Sequence, residues 1–172
     1  MNKLEQISNK VFYSTTDFEN KLSFYRFKNY SLVFTNGCFD ILHLGHIDYL
    51  SKAAELGDKL IVGINSDSSV CKLKGENRPL SDIKSRSLVL ASLSFVSDVI
   101  VFDEETPLNL IDFIKPNVLV KGKDYTVEQI VGSDVVIKNG GRVETIDLVD
   151  GYSTSLIEKK ILKSLLNKDQ IQ

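Results

Sequence analysis

Cysteine is scarce. Cys38 and Cys71 are the only two in 172 residues, too few for a disulfide framework, so the chain reads as cytoplasmic. No stretch approaches the ~18 apolar residues of a membrane span. The opening residues, MNKLEQISNK, lack the apolar segment of a signal peptide, and no membrane partner is expected. An excess of basic charge is also missing. The net charge is −2, which argues against nucleic acid as a partner. Neither an internal repeat nor a low-complexity segment occurs. What remains is an ordinary globular composition, 42% hydrophobic and 26% charged, which excludes a disordered chain and suffices for a full core. At roughly 150 residues per domain the length predicts one domain with a short extension. Residues 1–30 read as an N-terminal helical extension, 31–166 as the main domain and 167–172 as a flexible tail.

Strand-like and helical runs alternate. Strands are expected at Leu32–Phe34, Leu60–Ile64, Val99–Phe102, Val118–Val120 and Val143–Ile146. The central runs are almost continuously apolar, as in strands buried on both faces. Leu44, Ile47, Leu50 and Ala54 keep helical spacing, with Gly57 placed as a C-terminal cap. Leu88, Ala91 and Phe95 give another stripe. Thr106-Pro107 reads as an N-cap with an N1 proline. Ile157, Ile161 and Leu165 mark a last helix, capped by the box Ser155-Leu156-Ile157-Glu158. Thr16-Asp17-Phe18-Glu19 is a second capping box, with Phe18, Leu22 and Tyr25 on one face of a helix that packs on the domain. This rhythm predicts an α/β fold: a Rossmann-like parallel five-stranded sheet with helices on both faces. Ligands of such sheets bind outside the carboxyl ends of the strands, where strand order reverses.

One segment after the first strand concentrates chemistry: Thr35-Asn36-Gly37-Cys38-Phe39-Asp40-Ile41-Leu42-His43-Leu44-Gly45-His46. Both histidines of the chain lie here, where a helix begins. Their spacing can aim both imidazoles at one point, beside free backbone N–H groups and the positive helix end. Gly37 and Gly45 allow close approach of a ligand, most simply a phosphate chain. Two structural histidines are the bland alternative. Zinc on Cys38, His43 and His46 is another, but no His-Glu-x-x-His pattern or second cysteine pair accompanies them. The protein itself is expected to supply no metal ligands.

His43-Leu44-Gly45-His46 resembles the HxGH signature of the nucleotidyltransferase superfamily. The longer run from Phe34 to His46 resembles the adenylyltransferases that act on D-glycero-β-D-manno-heptose 1-phosphate. The resemblance extends from about Ser31 to Lys160. It includes Asn65-Ser66-Asp67, Leu73-Lys74-Gly75-Glu76-Asn77-Arg78-Pro79, Arg86, Leu119-Val120-Lys121-Gly122-Lys123-Asp124-Tyr125 and Asp150-Gly151-Tyr152-Ser153-Thr154-Ser155. A second threonine is commoner in the family where Ser155 stands. Cytidylyltransferases for glycerol 3-phosphate are the rival branch, yet Leu148 occupies the place of the arginine in their C-terminal signature. A non-catalytic nucleotide-binding module is the third reading. Many family members are fused to a sugar kinase, and a chain of this size resembles a stand-alone transferase. A tRNA synthetase of the same superfamily is too large to fit.

The resemblance implies transfer of AMP from ATP to heptose 1-phosphate, releasing pyrophosphate, for lipopolysaccharide core synthesis. It implies that His43 and His46 contact the triphosphate and that Lys74 neutralises charge there, with Lys72 a weaker candidate. Lys72 and Lys74 are expected on a mobile loop that closes over ATP, a solvated loop being the alternative. Nucleotide-binding candidates are Thr35, Asn36, Gly37, Cys38, Phe39, Gly45, Gly122, Asp124, Ser153 and Thr154. Candidates for the substrate phosphate are Asn65, Asp67, Lys72, Arg78 and Arg86. Arg86 reads equally well as a salt bridge to Asp82, and capping alone would account for Ser153 and Thr154. Asp40 is expected to orient the loop. Mg²⁺ is expected to arrive with the ATP phosphates. A homodimer and a separate upstream sugar kinase complete what the resemblance implies.

Overall fold

The computed structural model describes residues 1–123, 126 and 129–168. Its centre is a sheet of six strands: β1 (Val11–Phe12), β2 (Leu32–Gly37), β3 (Lys59–Asn65), β4 (Asp98–Phe102), β5 (Val118–Gly122) and β6 (Arg142–Ile146). The order is β1-β4-β3-β2-β5-β6, and every neighbouring pair is parallel. The expected α/β architecture holds, with one strand more than the five anticipated. The extra strand is β1, which pairs Val11 with Val99 and Phe12 with Ile100. Two residues carry no alternating pattern, so periodicity cannot reveal it.

Eight helices accompany the sheet among the described residues: α1 (Lys3–Ser8), α2 (Thr15–Phe27), α3 (Leu44–Ala54), α4 (Asp67–Lys74), α5 (Ile83–Ser92), α6 (Leu108–Ile114), α7 (Ser133–Lys138) and α8 (Thr154–Lys168). On one face, Phe18, Leu22 and Tyr25 of α2 pack with Ile111 and Ile114 of α6 against Phe34, Ile61 and Leu119. On the other, Tyr49, Leu50 and Ala53 of α3 pack with Leu90 and Ala91 of α5 against Val33, Val62 and Val120. Asp98 is wholly buried, and Tyr25 donates to it at 2.7 Å while Lys21 supplies the counter-charge. Burial of that carboxylate is tolerable because both oxygens are engaged.

Several local expectations need correction. Ser14 caps α2 by accepting from the Asp17 N–H, so the box is not set by Thr16. Glu55 ends α3. Gly57 is required by close packing instead, since a Cβ there would lie 2.8 Å from Val33 Cγ2 and 2.9 Å from Ser31 O. Pro107 itself occupies the N-cap of α6. Phe95 lies beyond α5, which ends at Ser92. Ser153, not Ser155, accepts from the Leu156 N–H at the start of α8. The last helix marked by Ile157, Ile161 and Leu165 is α8, where Ile161 and Leu165 are exposed. Lys72 and Lys74 belong to the last turn of α4 rather than to a loop. Ser66 caps that helix, and Gly75, at φ 98°, ends it. Two lysines in a last turn suit the negative helix end.

From β2 the chain proceeds to β3 and β4 on one side, then crosses to β5 and β6 on the other. The reversal lies between β2 and β5, where open parallel sheets bind ligands.

Candidate active site

Thr35, Asn36 and Gly37 are the last residues of β2. Thr35 is buried, and its hydroxyl hydrogen-bonds the Tyr49 hydroxyl at 2.7 Å, tying strand to α3. Phe39 takes the left-handed conformation at φ 46° and sets its ring edge-on to His46, centroids 5.3 Å apart. His43 is the N-cap of α3, with extended backbone and no side-chain capping bond. Its carbonyl accepts from the His46 and Ile47 N–H groups, which leaves the imidazole to face outward from the helix start. A Cβ on Gly45 would lie 3.1 Å from His43 Nδ1 and 3.4 Å from Tyr152 Cβ. A side chain at this position would crowd the His43 ring.

The two imidazoles stack, centroids 3.8 Å apart and 20° between planes. The Nδ1 atoms of both are buried without a hydrogen-bond partner among the described residues. Burial, with His43 and Lys74 nearby, pushes His46 down to about 4, against a smaller upward pull from the Ile41 backbone. Burial also holds His43 below the ordinary imidazole range. Both rings are thus neutral near pH 7. Each can offer one N–H to an oxyanion and gain a proton when negative charge arrives.

The rings open into a cavity of about 420 Å³. Asn36 and Gly37 line it from the end of β2, Cys38 and Phe39 from the loop that follows, His43, Gly45 and His46 from the start of α3, Lys74 from α4, Gly122 from β5, and Ser153 and Thr154 from the start of α8. The helices α3 and α8 present N-termini here, and with Lys74 they make a setting for a polyanion.

The remaining expected residues, among those described, stand outside the cavity lining. Thr35 lies beneath it. Asn65 is buried and donates to Ser69 Oγ at 3.0 Å. Lys72 is in α4 but does not line the cavity. Asp67 accepts from Arg86 at 2.6 Å and from the Ile83 N–H at 3.1 Å. Arg86 is buried, and its guanidinium donates to Ser81 O, Cys38 O, Asn65 O and Asp67 Oδ1 at 2.6–3.0 Å. Its partner is Asp67, not Asp82, and its donors are spent on the ends of β2 and β3. Arg78 donates to Asp40 at 2.9 Å and also pairs with Glu158 of α8. Asp124 lies outside the described residues.

Asp40 fastens the chain that follows α4. Its carboxylate accepts from the N–H groups of Leu80 and Ser81 and from Arg78. Burial alone would raise its pKa, yet these bonds outweigh burial and hold the carboxyl below the usual range. With Glu158, the cluster joins the loop after β2, the chain after α4 and helix α8. Sequence reasoning left Lys121, Tyr49, Val149 and Tyr152 unassigned, though all line the cavity, as does Leu148. Lys121 had a readable signal in its place at the carboxyl end of a strand. The others follow only from long-range packing.

Residues 34–160 match the cytidylyltransferase-like family. Among curated proteins the chain is 58% identical over 132 residues to the bifunctional protein HldE of Syntrophotalea carbinolica, covering 77% of this chain and 27% of that one. It is 50% identical over 151 residues to the HldE of Nitrobacter hamburgensis, covering 88% and 31%. The chain thus spans between a quarter and a third of the length of these relatives. A crystal structure of the lipopolysaccharide core biosynthesis protein from Thermoplasma volcanium matches with TM-score 0.57 and 28% identity, covering 72% of this chain and 99% of that one. Pantoate-beta-alanine ligase from Francisella tularensis shares the fold, at TM-score 0.55 and 15% identity over 86% of this chain and 75% of that one. With the histidine pair standing at the sheet's reversal point and the match covering most of the sequence, the chain belongs to the cytidylyltransferase-like family of nucleotidyltransferases.

Proposed function

We propose that the protein transfers AMP from ATP to D-glycero-β-D-manno-heptose 1-phosphate, giving ADP-heptose and pyrophosphate for lipopolysaccharide core synthesis. The observation that carries the reaction type is the stacked His43–His46 pair at the start of α3, inside the cavity. The sugar class is supported by 50–58% identity to HldE relatives over 77–88% of the chain. ATP over CTP is supported by Leu148, an aliphatic cavity residue where the cytidylyltransferase signature has arginine.

In this reading a phosphate oxygen of the acceptor forms a bond to the α-phosphorus as the bond to the bridging oxygen of pyrophosphate breaks. A phosphate monoester is already ionised near pH 7, so positioning and charge stabilisation supply the catalysis. His43 and His46 donate to the α-phosphate oxygens as charge builds there. Lys74 neutralises the triphosphate, and the N-terminus of α8 with Ser153 and Thr154 receives further phosphate oxygens. Mg²⁺ would be held by the triphosphate and supply charge neutralisation. The nearest carboxylate, Asp40, is taken up by Arg78, Leu80 and Ser81, and no group of three or more metal-ligating side chains exists among the described residues. A sugar kinase would supply the 1-phosphate, and the proposal includes a homodimer in the cytoplasm. No helix among the described residues is long and apolar enough to cross a membrane. Pyrophosphate release on mixing the protein with ATP and heptose 1-phosphate tests the reading; absence of release with that pair overturns it.

A further inference from the structure

The ladder between β2 and β5 is short. Val33 pairs with Val118 and Phe34 with Leu119. On its other side β2 stays paired with β3 as far as Gly37 and Ile64, and β5 stays paired with β6 as far as Gly122 and Ile146. Strands β2 and β5 therefore part above Phe34 and Leu119, at the point where strand order reverses. Asn36 and Lys121 stand two residues above that last rung, and the Lys121 ammonium donates to Asn36 Oδ1 across the gap. Both line the cavity. Side-chain alternation puts them on the face of Phe34 and Leu119,, whereas α3 packs on the opposite face through Tyr49, Leu50 and Ala53. The cavity thus passes through the parted edge of the sheet, with imidazoles toward one face and an ammonium toward the other.

We infer that Lys121 binds the phosphate of the acceptor, and that Asn36 holds the ammonium at the crevice until that phosphate arrives. The inference rests on the reading of the protein as a transferase that joins a nucleotide to a sugar phosphate. In-line displacement places the incoming oxygen and the departing pyrophosphate on opposite sides of the α-phosphorus. The cavity's two lysines are arranged to match. Lys74 ends α4, which follows β3, and Lys121 projects from β5; β3 and β5 flank β2 on opposite sides. The histidines, on the helix that follows β2, lie between them. Two phosphates brought together repel each other, so each needs its own counter-charge. Lys74 serves the triphosphate and Lys121 the acceptor. Leu148, in the same cavity, brings no charge, and Asp40 is itself paired with Arg78.

The test uses inorganic phosphate as the probe, titrated calorimetrically into protein saturated with the unreactive analogue α,β-methylene ATP. Lys121→Met should weaken phosphate binding roughly 10–100-fold, the size of one charge-assisted contact, and leave affinity for the analogue unchanged. Lys121→Arg should keep most of the phosphate affinity, and Lys121→Gln serves if the methionine variant melts early. Unchanged phosphate affinity in the variants, loss of analogue affinity, or no phosphate binding by the unaltered protein would each overturn the assignment. Because no turnover is required, an error in the proposed sugar or nucleotide shows separately, as absent pyrophosphate release by the unaltered protein. In turnover, Lys121→Met should raise the KM for the sugar phosphate and not that for ATP.

Discussion

His43 and His46 lie face to face, ring centroids 3.8 Å apart, with the Nδ1 atom of each buried and without a partner among the described residues. A stacked and buried pair of this kind is costly to charge. An arriving oxyanion reverses the balance, because each imidazole then gains an acceptor for its N–H.

His46→Ala should therefore lower kcat by about 10²–10³, the cost of removing one preorganised donor. Steady-state kinetics with a parallel thermal melt checks this. A folded variant turning over at the normal rate would take His46 out of the reaction.

The same burial sets a pH dependence of stability. His46 is held at about 4 in the folded protein against 6.5 for an unperturbed imidazole, and His43 is lowered too. The unfolded chain binds these protons first, so their contribution is fully present above about pH 6.5 and is lost as pH falls toward 4. Asp40, held below its ordinary 3.8, keeps its charge through most of that window. The Tm should fall between pH 7 and pH 4.5, and less steeply for His46→Asn. Parallel curves for the two proteins would contradict this origin.

Arg86 is predicted to act on the fold rather than on substrate. Arg86→Met strips donors from the carbonyls of Cys38, Asn65 and Ser81 and leaves Asp67 without its counter-charge. A loss of about 3–5 kcal/mol is expected in urea unfolding. An unchanged unfolding midpoint accompanied by a raised KM for a phosphate substrate would instead make Arg86 a ligand.

The contrast between Arg86 and His46 shows what the sequence reveals and what it hides. His43, Gly45 and His46 were legible because strand end, glycine turn and helix start are local, and their order already puts the imidazoles at a helix N-terminus. The sheet was legible for the same reason, since buried parallel strands such as Leu60–Ile64 are continuously apolar. Arg86 was not. Its acceptors lie 5 to 48 residues away in sequence, and a lone arginine on a helix carries no sign of which way it turns. The apolar spacing of Ile157, Ile161 and Leu165 marked α8 as a helix, but spacing does not say whether a neighbour exists to bury it; Ile161 and Leu165 remain exposed. Lys121 could be placed at the carboxyl end of a strand from the sequence, but its pairing with Asn36 across the parted β2 and β5 is a matter of register that no local pattern records.

Lys74→Ala should lower kcat more than it weakens ATP binding, since a cation at the end of α4 facing the cavity acts on charge that develops at the α-phosphate. Measured ATP affinity and kcat together decide it. Weaker ATP binding with unchanged kcat would reduce Lys74 to a binding residue.

The central claim is the choice of nucleotide and acceptor together. It is tested most directly by kcat/KM for ATP and for CTP at one fixed concentration of D-glycero-β-D-manno-heptose 1-phosphate, with glycerol 3-phosphate as the alternative acceptor. A base site fitted to adenine leaves polar groups unpaired around cytosine, and such discrimination reaches ~10⁴ where those groups are buried. The account predicts rapid pyrophosphate release with ATP and the heptose phosphate, and far less with CTP or with glycerol 3-phosphate. Equal values for the two nucleotides, or a preference for CTP with glycerol 3-phosphate, would contradict it.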